Sequence, residues 1–253
     1  MMNHFLPCGR MSVTFLMLVC FGRQSPAELI VYSNNFEGAV GSEWSMTTTD
    51  ITPTGGRRFL GQFGNETVSL SLDTLPLHDS VTVSFELFII NSWDGNFHIG
   101  DPDVWTLSIS GGPTLLHTTF ATHHPGLVQQ YPDDIGGPLH LANTGASEVE
   151  TLGYTFFGNA VYDLTFTVPH VTDLLTINFT GSQLSSLPDE SWGIDNVSVS
   201  VNPVPEPSTL ILAICGTLSM FGYGWRKRWA NNPVPPSSPI GSTLAGCPSQ
   251  FSR

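Results

Sequence analysis

Alternation of apolar and polar residues predicts a set of β-strands in the middle of the chain. Between residues 67 and 72, and again between 81 and 87, every second side chain is apolar and the others are Thr, Ser or Glu. The same period of two recurs over residues 105–109, 162–168 and 175–179. A period of two places the apolar side chains on one face of a strand, as expected for half-buried sheets.

Turn-forming residues separate these strands, for example Gly111-Gly112-Pro113 and Gly136-Gly137-Pro138. Clusters of Gly and Pro between alternating segments are typical of the connections in antiparallel sheets. No comparable stretch of residues 28–203 has helical periodicity. The pattern therefore predicts an all-β fold, an antiparallel β-sandwich of the jelly-roll kind.

In the last predicted strand, the apolar residues switch from even-numbered to odd-numbered positions. Trp192 and Ile194 occupy even positions, whereas the valines within 197–201 occupy odd ones. One extra residue in a strand shifts the alternation by one position, so we predict a β-bulge at 195–196.

The first 27 residues have the organisation of a secretory signal peptide. Arg10 supplies a positive charge, residues 11–21 are apolar, and Ser25 and Ala27 are small residues at the positions that precede a cleavage site. We expect cleavage after Ala27, which places the remainder of the chain outside the cytoplasm.

The other end carries a second targeting pattern. Pro205, Glu206 and Pro207 precede an apolar segment, 210–225, which is followed by a basic cluster of Arg226, Lys227 and Arg228. This order resembles the PEP-CTERM sorting signal of Gram-negative bacteria that make extracellular polysaccharide. The resemblance implies an exosortase-type sorting machinery as a partner, and transient or permanent anchoring of the segment in the inner membrane.

The sequence therefore divides into four parts. Residues 1–27 are the predicted signal peptide, 28–203 the β-sandwich ectodomain, and 204–228 the sorting signal with its transmembrane segment at 210–225. The family signal normally ends the chain, whereas here 229–253 follow it, rich in Pro and Ser and predicted to be disordered. We expect the protein at the cell surface or in the extracellular matrix.

Charge excludes one class of partner. Of the 21 acidic residues all but Glu206 lie within 28–203, and of the 8 basic residues only Arg57 and Arg58 do. Nucleic-acid affinity depends on Lys and Arg that neutralise phosphates, so we expect no nucleic-acid partner. All 4 cysteines lie outside this span, which excludes disulfides and a Cys-based zinc site within the ectodomain.

The ends of the ectodomain also resemble a known group of folds. Phe36-Glu37-Gly38 and the segment 192–197 (WGIDNV) resemble the terminal strands of jelly-roll carbohydrate-binding modules and of laminin-G or concanavalin-like sandwiches. In many such modules these strands are adjacent and hold a structural calcium ion. The resemblance implies Glu37 and Asp195 as calcium ligands.

A polar loop between two strong strands offers further oxygen ligands. Asp94 and Asn96 flank Gly95, and Asp101 and Asp103 follow shortly after. Carboxylates and amides spaced two residues apart around a glycine can coordinate Ca²⁺, although the spacing differs from that of an EF-hand. Solvated turn residues are the alternative interpretation, and sugar contact through the neighbouring Trp93 is a third.

Sugar binding requires an exposed aromatic ring beside amide or acid groups. Trp44, Trp93, Tyr131 and Trp192 are the available rings, and we select Trp93 and Tyr131 as candidate ligand-binding residues; strand tryptophans are more often buried in the core. No Gly-x-Ser-x-Gly, phosphate-binding glycine loop or His-Glu-x-x-His occurs, nor the Glu-x-Asp-x-x-Glu pattern of concanavalin-like glycosidases. The sequence thus predicts a non-enzymatic protein.

The function predicted from these features is binding or organising extracellular polysaccharide, with calcium as a possible structural ion. Two alternatives stay open. One is a purely structural or adhesive matrix component without a sugar site, and the other is a glycan-degrading hydrolase without a known motif.

Overall fold

A computed structural model describes residues 27–97, 102–122, 124, 126–155, 157–204 and 207–230. The predicted signal peptide, apart from Ala27, and the tail beyond Ala230 therefore lie outside the described residues. So do Asp101, Pro205 and Glu206. Contacts within the chain separate it into two units, Met1–Val204 and Pro205–Arg253.

The described part of the first unit consists of β-strands. In chain order they are β1 Leu29–Asn34, β2 Thr49–Ile51, β3 Arg58–Phe63, β4 Thr67–Leu72, β5 His78–Asn91, β6 Val104–Ile109, β7 Thr114–Thr119, β8 Val128–Gln129, β9 His140–Leu141, β10 Glu148–Val149, β11 Asn159–Pro169, β12 Leu175–Ser182 and β13 Glu190–Pro203. In the second unit, α1 spans Pro207–Ala230.

The strands form two antiparallel sheets. The larger sheet has the order β10-β11-β5-β13-β3-β2, and β1 also pairs with β13. The smaller sheet has the order β4-β12-β6-β7, while β8 and β9 pair only with each other. The predicted all-β antiparallel sandwich is confirmed.

The main core lies between these two sheets because the inward faces of both are apolar. In β5 the alternate residues from Val81 to Ile89 are buried, while Thr82, Ser84 and Glu86 between them are less so. Large rings fill the centre: Trp105 lies 6.2 Å from Trp192 between ring centroids. Burial of this much apolar surface is the main favourable contribution to folding.

The bulge predicted in the last strand is confirmed. The pairing of β13 with β5 shifts register between Asp195 and Ser198, and Asn196 has a positive φ of 50°. As a result Ile194 before the shift and Val197 after it both lie in the main core.

A second apolar cluster covers the outer face of the larger sheet. It consists of Phe59, Phe88, Ile90, Leu152 and Val161, with Tyr154 packed against it. Phe88 and Ile90 alternate with core residues of β5, so they point to the opposite face of that strand. The segment around Leu152 is thereby held against the sheet, and it brings Tyr154 towards β2 and β3.

The C-terminal helix α1 includes the predicted membrane segment 210–225, together with Pro207 and the basic residues 226–228. Within the described part of the chain, no helix is both long enough and apolar enough to cross a membrane. This differs from the transmembrane segment expected from the sequence.

Candidate functional site

The two residues expected to share a calcium ion at the terminal strands have different partners. The carboxylate of Glu37 accepts a hydrogen bond from the backbone N–H of Arg58 at 3.1 Å. Asp195 is buried, and its carboxylate lies 3.5 Å from the guanidinium of Arg57. The positive charge beside Asp195 is therefore supplied by the side chain of Arg57.

Arg57 connects several acidic side chains on the outer face of the larger sheet. Its guanidinium contacts the carboxylate of Glu86 and lies 3.3 Å from that of Glu148. The same group lies 4.6 Å from the centre of the Phe88 ring. Burial nevertheless raises the pKa of Asp195 to about 6, against the opposing effects of the Asn196 backbone N–H and of Arg57.

In the polar loop, Asp103 is a structural residue. Its carboxylate accepts hydrogen bonds from the backbone N–H groups of Asp94 and Gly95, the latter at 3.2 Å. The side-chain oxygen of Asn96 accepts a hydrogen bond from the hydroxyl of Thr119. These contacts hold the loop against the strands that flank it, and they already engage one carboxylate oxygen of Asp103 and the amide oxygen of Asn96.

Asp103 and Glu190 are two buried carboxyl groups, and the charge of Glu190 acts on Asp103. Only 5% of Asp103 and 4% of Glu190 is exposed. Burial, followed by the nearby charge of Glu190, raises the pKa of Asp103 to about 8. Burial likewise raises the pKa of Glu190. Near neutral pH, with no cation beside it, Asp103 is therefore mostly protonated.

These residues do not fit a calcium site. Across the described ranges, no three His, Cys, Asp or Glu side chains are grouped so that they could hold a metal ion. The two most buried predicted ligands, Asp103 and Asp195, are bonded to backbone N–H groups or to a guanidinium instead. Asp101, which was also predicted as a ligand from this loop, lies outside the described residues.

Trp93 cannot stack against a sugar in this structure, contrary to the prediction. Its exposed fraction is 0%, and its indole N–H donates to the backbone carbonyl of Ser191 at 2.9 Å. Trp44 and Trp192 are buried as well. All three rings pack in the main core between the sheets.

Tyr131 is also engaged in packing. Its ring centroid lies 5.0 Å from that of Phe120 and 5.1 Å from that of Tyr162. The ring is half-buried against the main core, and burial raises the pKa of its hydroxyl. Tyr131 keeps part of its surface exposed, so its role as a ligand-binding residue stays a prediction.

A polar site that the sequence did not indicate lies where β2 and β3 meet. The amide nitrogen of Gln62 donates to the carboxylate of Asp50 at 2.7 Å and lies 3.3 Å from the hydroxyl oxygen of Tyr154. That hydroxyl in turn donates to Asp50 at 3.4 Å. The buried hydroxyl of Ser191 donates to the side-chain oxygen of Gln62 at 2.8 Å. A carboxylate, an amide and a phenol are thus held together.

Asp50 and Gln62 line a cleft of about 360 Å³, which we call the Asp50 cleft. Tyr154 and Ser191 bond to these two side chains from outside its lining. Its lining residues are Thr48, Thr49, Asp50, Gly61, Gln62, Leu187 and Pro188. Asp50 and Gln62 are each partly exposed, so a ligand in the cleft can reach them. Burial, and then the charge of Asp50, raises the pKa of Tyr154, so its hydroxyl keeps its proton at neutral pH.

Close approach of two strands shapes the floor of this cleft. Gly61 of β3 pairs with Gly193 of β13. A Cβ atom on Gly61 would meet the Phe59 ring at 2.6 Å and the Gly193 Cα at 3.1 Å, and φ at Gly61 is 156°. Glycine at position 61 therefore permits the close approach of β3 to β13, across which the Ser191 hydroxyl bonds to Gln62.

The three polar residues of the Asp50 cleft were missed because they are distant in sequence. Asp50 and Gln62 come together through the pairing of β2 with β3, and Tyr154 arrives from the segment before β11. The only sequence signal was the glycine of Phe59-Leu60-Gly61-Gln62, since a glycine inside a strand often marks a close backbone approach.

Comparison with known proteins gives fold-level likeness alone. No protein-family model and no curated protein matches the chain, so the resemblance to a PEP-CTERM signal stays a prediction. Similar solved structures include the CBM22-1 xylan-binding domain from Paenibacillus barcinonensis Xyn10C (12% identity, TM-score 0.36, 71% of this chain and 98% of that chain). The C-terminal CBM6 of LamC from Zobellia galactanivorans shares 9% identity, with a TM-score of 0.34 over 67% of this chain and 98% of that chain. The carbohydrate-binding module CBM6cm-2 from Cellvibrio mixtus lichenase 5A shares 14% identity, with a TM-score of 0.31 over 70% and 100%.

Proposed function

We propose that the sandwich is the non-catalytic, polysaccharide-binding part of an exported protein and that the Asp50 cleft is its binding site. The observation that carries this proposal is the hydrogen-bonded arrangement of Asp50, Gln62 and Tyr154 at an accessible cleft. Sugar hydroxyls both donate and accept hydrogen bonds, and this arrangement offers both kinds of partner. The carboxylate of Asp50 keeps acceptor capacity beyond its two internal bonds.

Preorganisation favours binding at this cleft. Gln62 is held by Asp50 and Tyr154 on one side and by Ser191 on the other, so little side-chain freedom is left to lose when a ligand arrives. Leu187 and Pro188 provide an apolar wall opposite these polar groups. Mixed clefts of this size suit one or a few sugar rings.

The charge of the sandwich indicates which polysaccharides it binds. With all but one of the chain's acidic residues and no lysine within 28–203, the surface repels polyanions. We therefore expect neutral glycans as ligands, rather than uronic-acid or sulfated polymers. Export, surface location and sorting by exosortase rest on the sequence patterns at the two ends of the chain.

Binding without cleavage agrees with the content of the cleft. Most glycosidases place two carboxyl groups on either side of the scissile bond, and among the residues that line this cleft Asp50 is the single carboxylate. Incubation with neutral glycans should therefore release no reducing ends. Release at a rate that falls in Asp50→Asn would favour the hydrolase alternative instead.

Affinity electrophoresis of the purified sandwich in gels that contain neutral or anionic polysaccharide tests the proposal. The neutral panel is xylan, β-1,3-glucan, mixed-linkage glucan, galactan and hydroxyethylcellulose, and the anionic panel is alginate and hyaluronan. We expect retardation by at least one neutral polymer and by neither anionic one. No retardation by any neutral polymer would overturn the proposal and favour a structural or adhesive role.

The calcium ion predicted from the sequence needs a separate test, since the described residues do not assemble a site for it. Thermal unfolding of the protein in Ca²⁺ and in chelator gives the answer. A ligand of the folded state raises the melting temperature by mass action. Equal melting temperatures in the two buffers would exclude a structural calcium.

A further inference from the structure

A second cleft lies further along β13, beside β1, which pairs with the later residues of that strand. It has a volume of about 470 Å³, and its lining residues are Val31, Tyr32, Glu43, Ser71, Leu72, Asp73, Thr74, Leu75 and Pro76. We call it the Tyr32 cleft. It combines two carboxylates, a phenol and two hydroxyls with apolar side chains, and it shares no lining residue with the Asp50 cleft.

The phenol of Tyr32 is fixed by three hydrogen bonds. The indole N–H of the buried Trp44 donates to its oxygen at 2.6 Å, and the amide of Asn34 donates at 3.2 Å. The Tyr32 hydroxyl donates to the carboxylate of Glu43 at 3.2 Å. Tyr32 is half-buried, and burial raises the pKa of its hydroxyl, which therefore stays protonated.

The Tyr32 cleft thus repeats the chemistry of the Asp50 cleft with different residues. In each, a phenol donates to a carboxylate, and a third side chain donates to one of them: Gln62 in the first and Trp44 in the second. In each, apolar residues stand beside the polar groups; in the Asp50 cleft these are the exposed Leu187 and Pro188. In the Tyr32 cleft, the apolar residues beside the polar groups are the partly buried Val31, Leu72 and Leu75.

Strand pairing gives the distance between the two clefts. Along β13, Gly193 pairs with Gly61 in the Asp50 cleft, and Val199 pairs with Tyr32 in the Tyr32 cleft. Because the bulge of β13 lies between these two positions, the neighbouring strand β5 gives their spacing. Gly193 pairs with Phe88 and Val199 with Val83, five residues apart, which corresponds to roughly 17 Å at about 3.3 Å each. Two clefts that far apart, with no residue in common, can be occupied at the same time.

We propose that the Tyr32 cleft is a second binding site for neutral glycan and that the sandwich is bivalent. This inference rests on the proposed function, because it assigns the same ligand class to a second site. A bivalent module can hold two chains together or bind one polymer at two points, and the second contact is then intramolecular. Polymers should therefore bind at least tenfold more tightly than short oligosaccharides.

Isothermal titration of the full chain in mild detergent with cellohexaose, xylohexaose and laminarihexaose tests this inference. We expect two hexasaccharides per chain for at least one of the three sugars. Glu43→Gln and, separately, Asp73→Asn should each reduce the stoichiometry towards one and leave the remaining site unchanged. Asp73 is exposed, so its substitution does not endanger folding.

Asp163→Asn is the matched control. It removes one exposed carboxylate that lines neither cleft, so it should leave two sites. A stoichiometry of one that Asp50→Asn abolishes and Glu43→Gln does not change would overturn the second site and leave the proposed function standing. Binding that depends on Glu43 and Asp73 but not on Asp50 would overturn the Asp50 cleft instead. No binding of any hexasaccharide would overturn both.

Discussion

The guanidinium of Arg57 lies 3.5 Å from the carboxylate of Asp195, whose side chain is only 5% exposed. Arg57 also contacts Glu86 and Glu148, so one cation balances three carboxylates on the outer face of the larger sheet. This relationship explains how Asp195 is tolerated in a buried position at the bulge of β13. A buried charge requires a partner, and Arg57 is that partner.

Removal of Arg57 should therefore destabilise the sandwich. Because Arg57 is partly exposed, we expect Arg57→Met to lower the free energy of unfolding by about 2–3 kcal/mol, less than for a fully buried pair. Arg58→Met is the matched control, since the Arg58 guanidinium donates to the Thr49 hydroxyl, and it should cost about 0.5 kcal/mol or less. Urea unfolding monitored by tryptophan fluorescence measures both. Equal losses for the two variants would contradict the role of Arg57.

The buried carboxyl groups Asp103 and Glu190 should make stability depend on pH. Burial raises the pKa of Asp103 to about 8, so the folded state keeps a proton that the unfolded state releases near pH 4. The free energy of unfolding then falls as pH rises from about 4 to about 8, and the raised pKa of Glu190 acts in the same direction. We expect a decrease of a few kcal/mol, since one pKa unit corresponds to about 1.4 kcal/mol.

Urea unfolding between pH 4.5 and 8.5, in chelator, measures this dependence. Asp103→Asn keeps an acceptor for the N–H groups of Asp94 and Gly95, and it should flatten the profile. Asp163→Asn, at an exposed position of β11, should leave the slope unchanged. A wild-type protein that gains stability between pH 5 and 8 would contradict this prediction.

Trp93 is expected to matter for folding and not for binding. Trp93→Phe removes the N–H that bonds to the Ser191 carbonyl in the core, which should lower the free energy of unfolding by about 1–3 kcal/mol. Affinity for a neutral glycan, measured well below the melting temperature, should be unchanged because the ring has no exposed surface. Weaker binding at wild-type stability would restore the stacking role predicted from the sequence.

The Asp50 cleft should respond to small changes that leave its shape intact. Asp50→Asn and Tyr154→Phe each remove part of the hydrogen bonding around Gln62. Hydrogen bonds to a charged group contribute about 1.5–3 kcal/mol, so we expect glycan affinity to fall roughly 10-fold to 100-fold. Titration calorimetry with the polymer that retards the protein most strongly gives the dissociation constants. Asp163→Asn is again the control, and an unchanged affinity in both cleft variants would exclude this site.

The strands and the bulge were determined by the sequence alone because their signals are local. A period of two needs only neighbouring residues, as in Val81 to Leu87, and the parity change after Ile194 predicted the bulge that the structure has at Asp195. The lack of lysine within 28–203 is likewise visible without any structure.

Burial and the grouping of distant side chains were decided only by the tertiary structure. Trp93 is a ring of the kind that sugar sites use, but packing between the sheets covers it, and Tyr131 is half-buried against the same core. Asp50, Gln62 and Tyr154 carry no common motif, and they meet because β2 pairs with β3 while an apolar cluster holds Leu152 against the sheet. Contacts between residues far apart in sequence depend on how all the strands pair and pack. A pattern along the chain, in contrast, relates only residues that are close together in sequence.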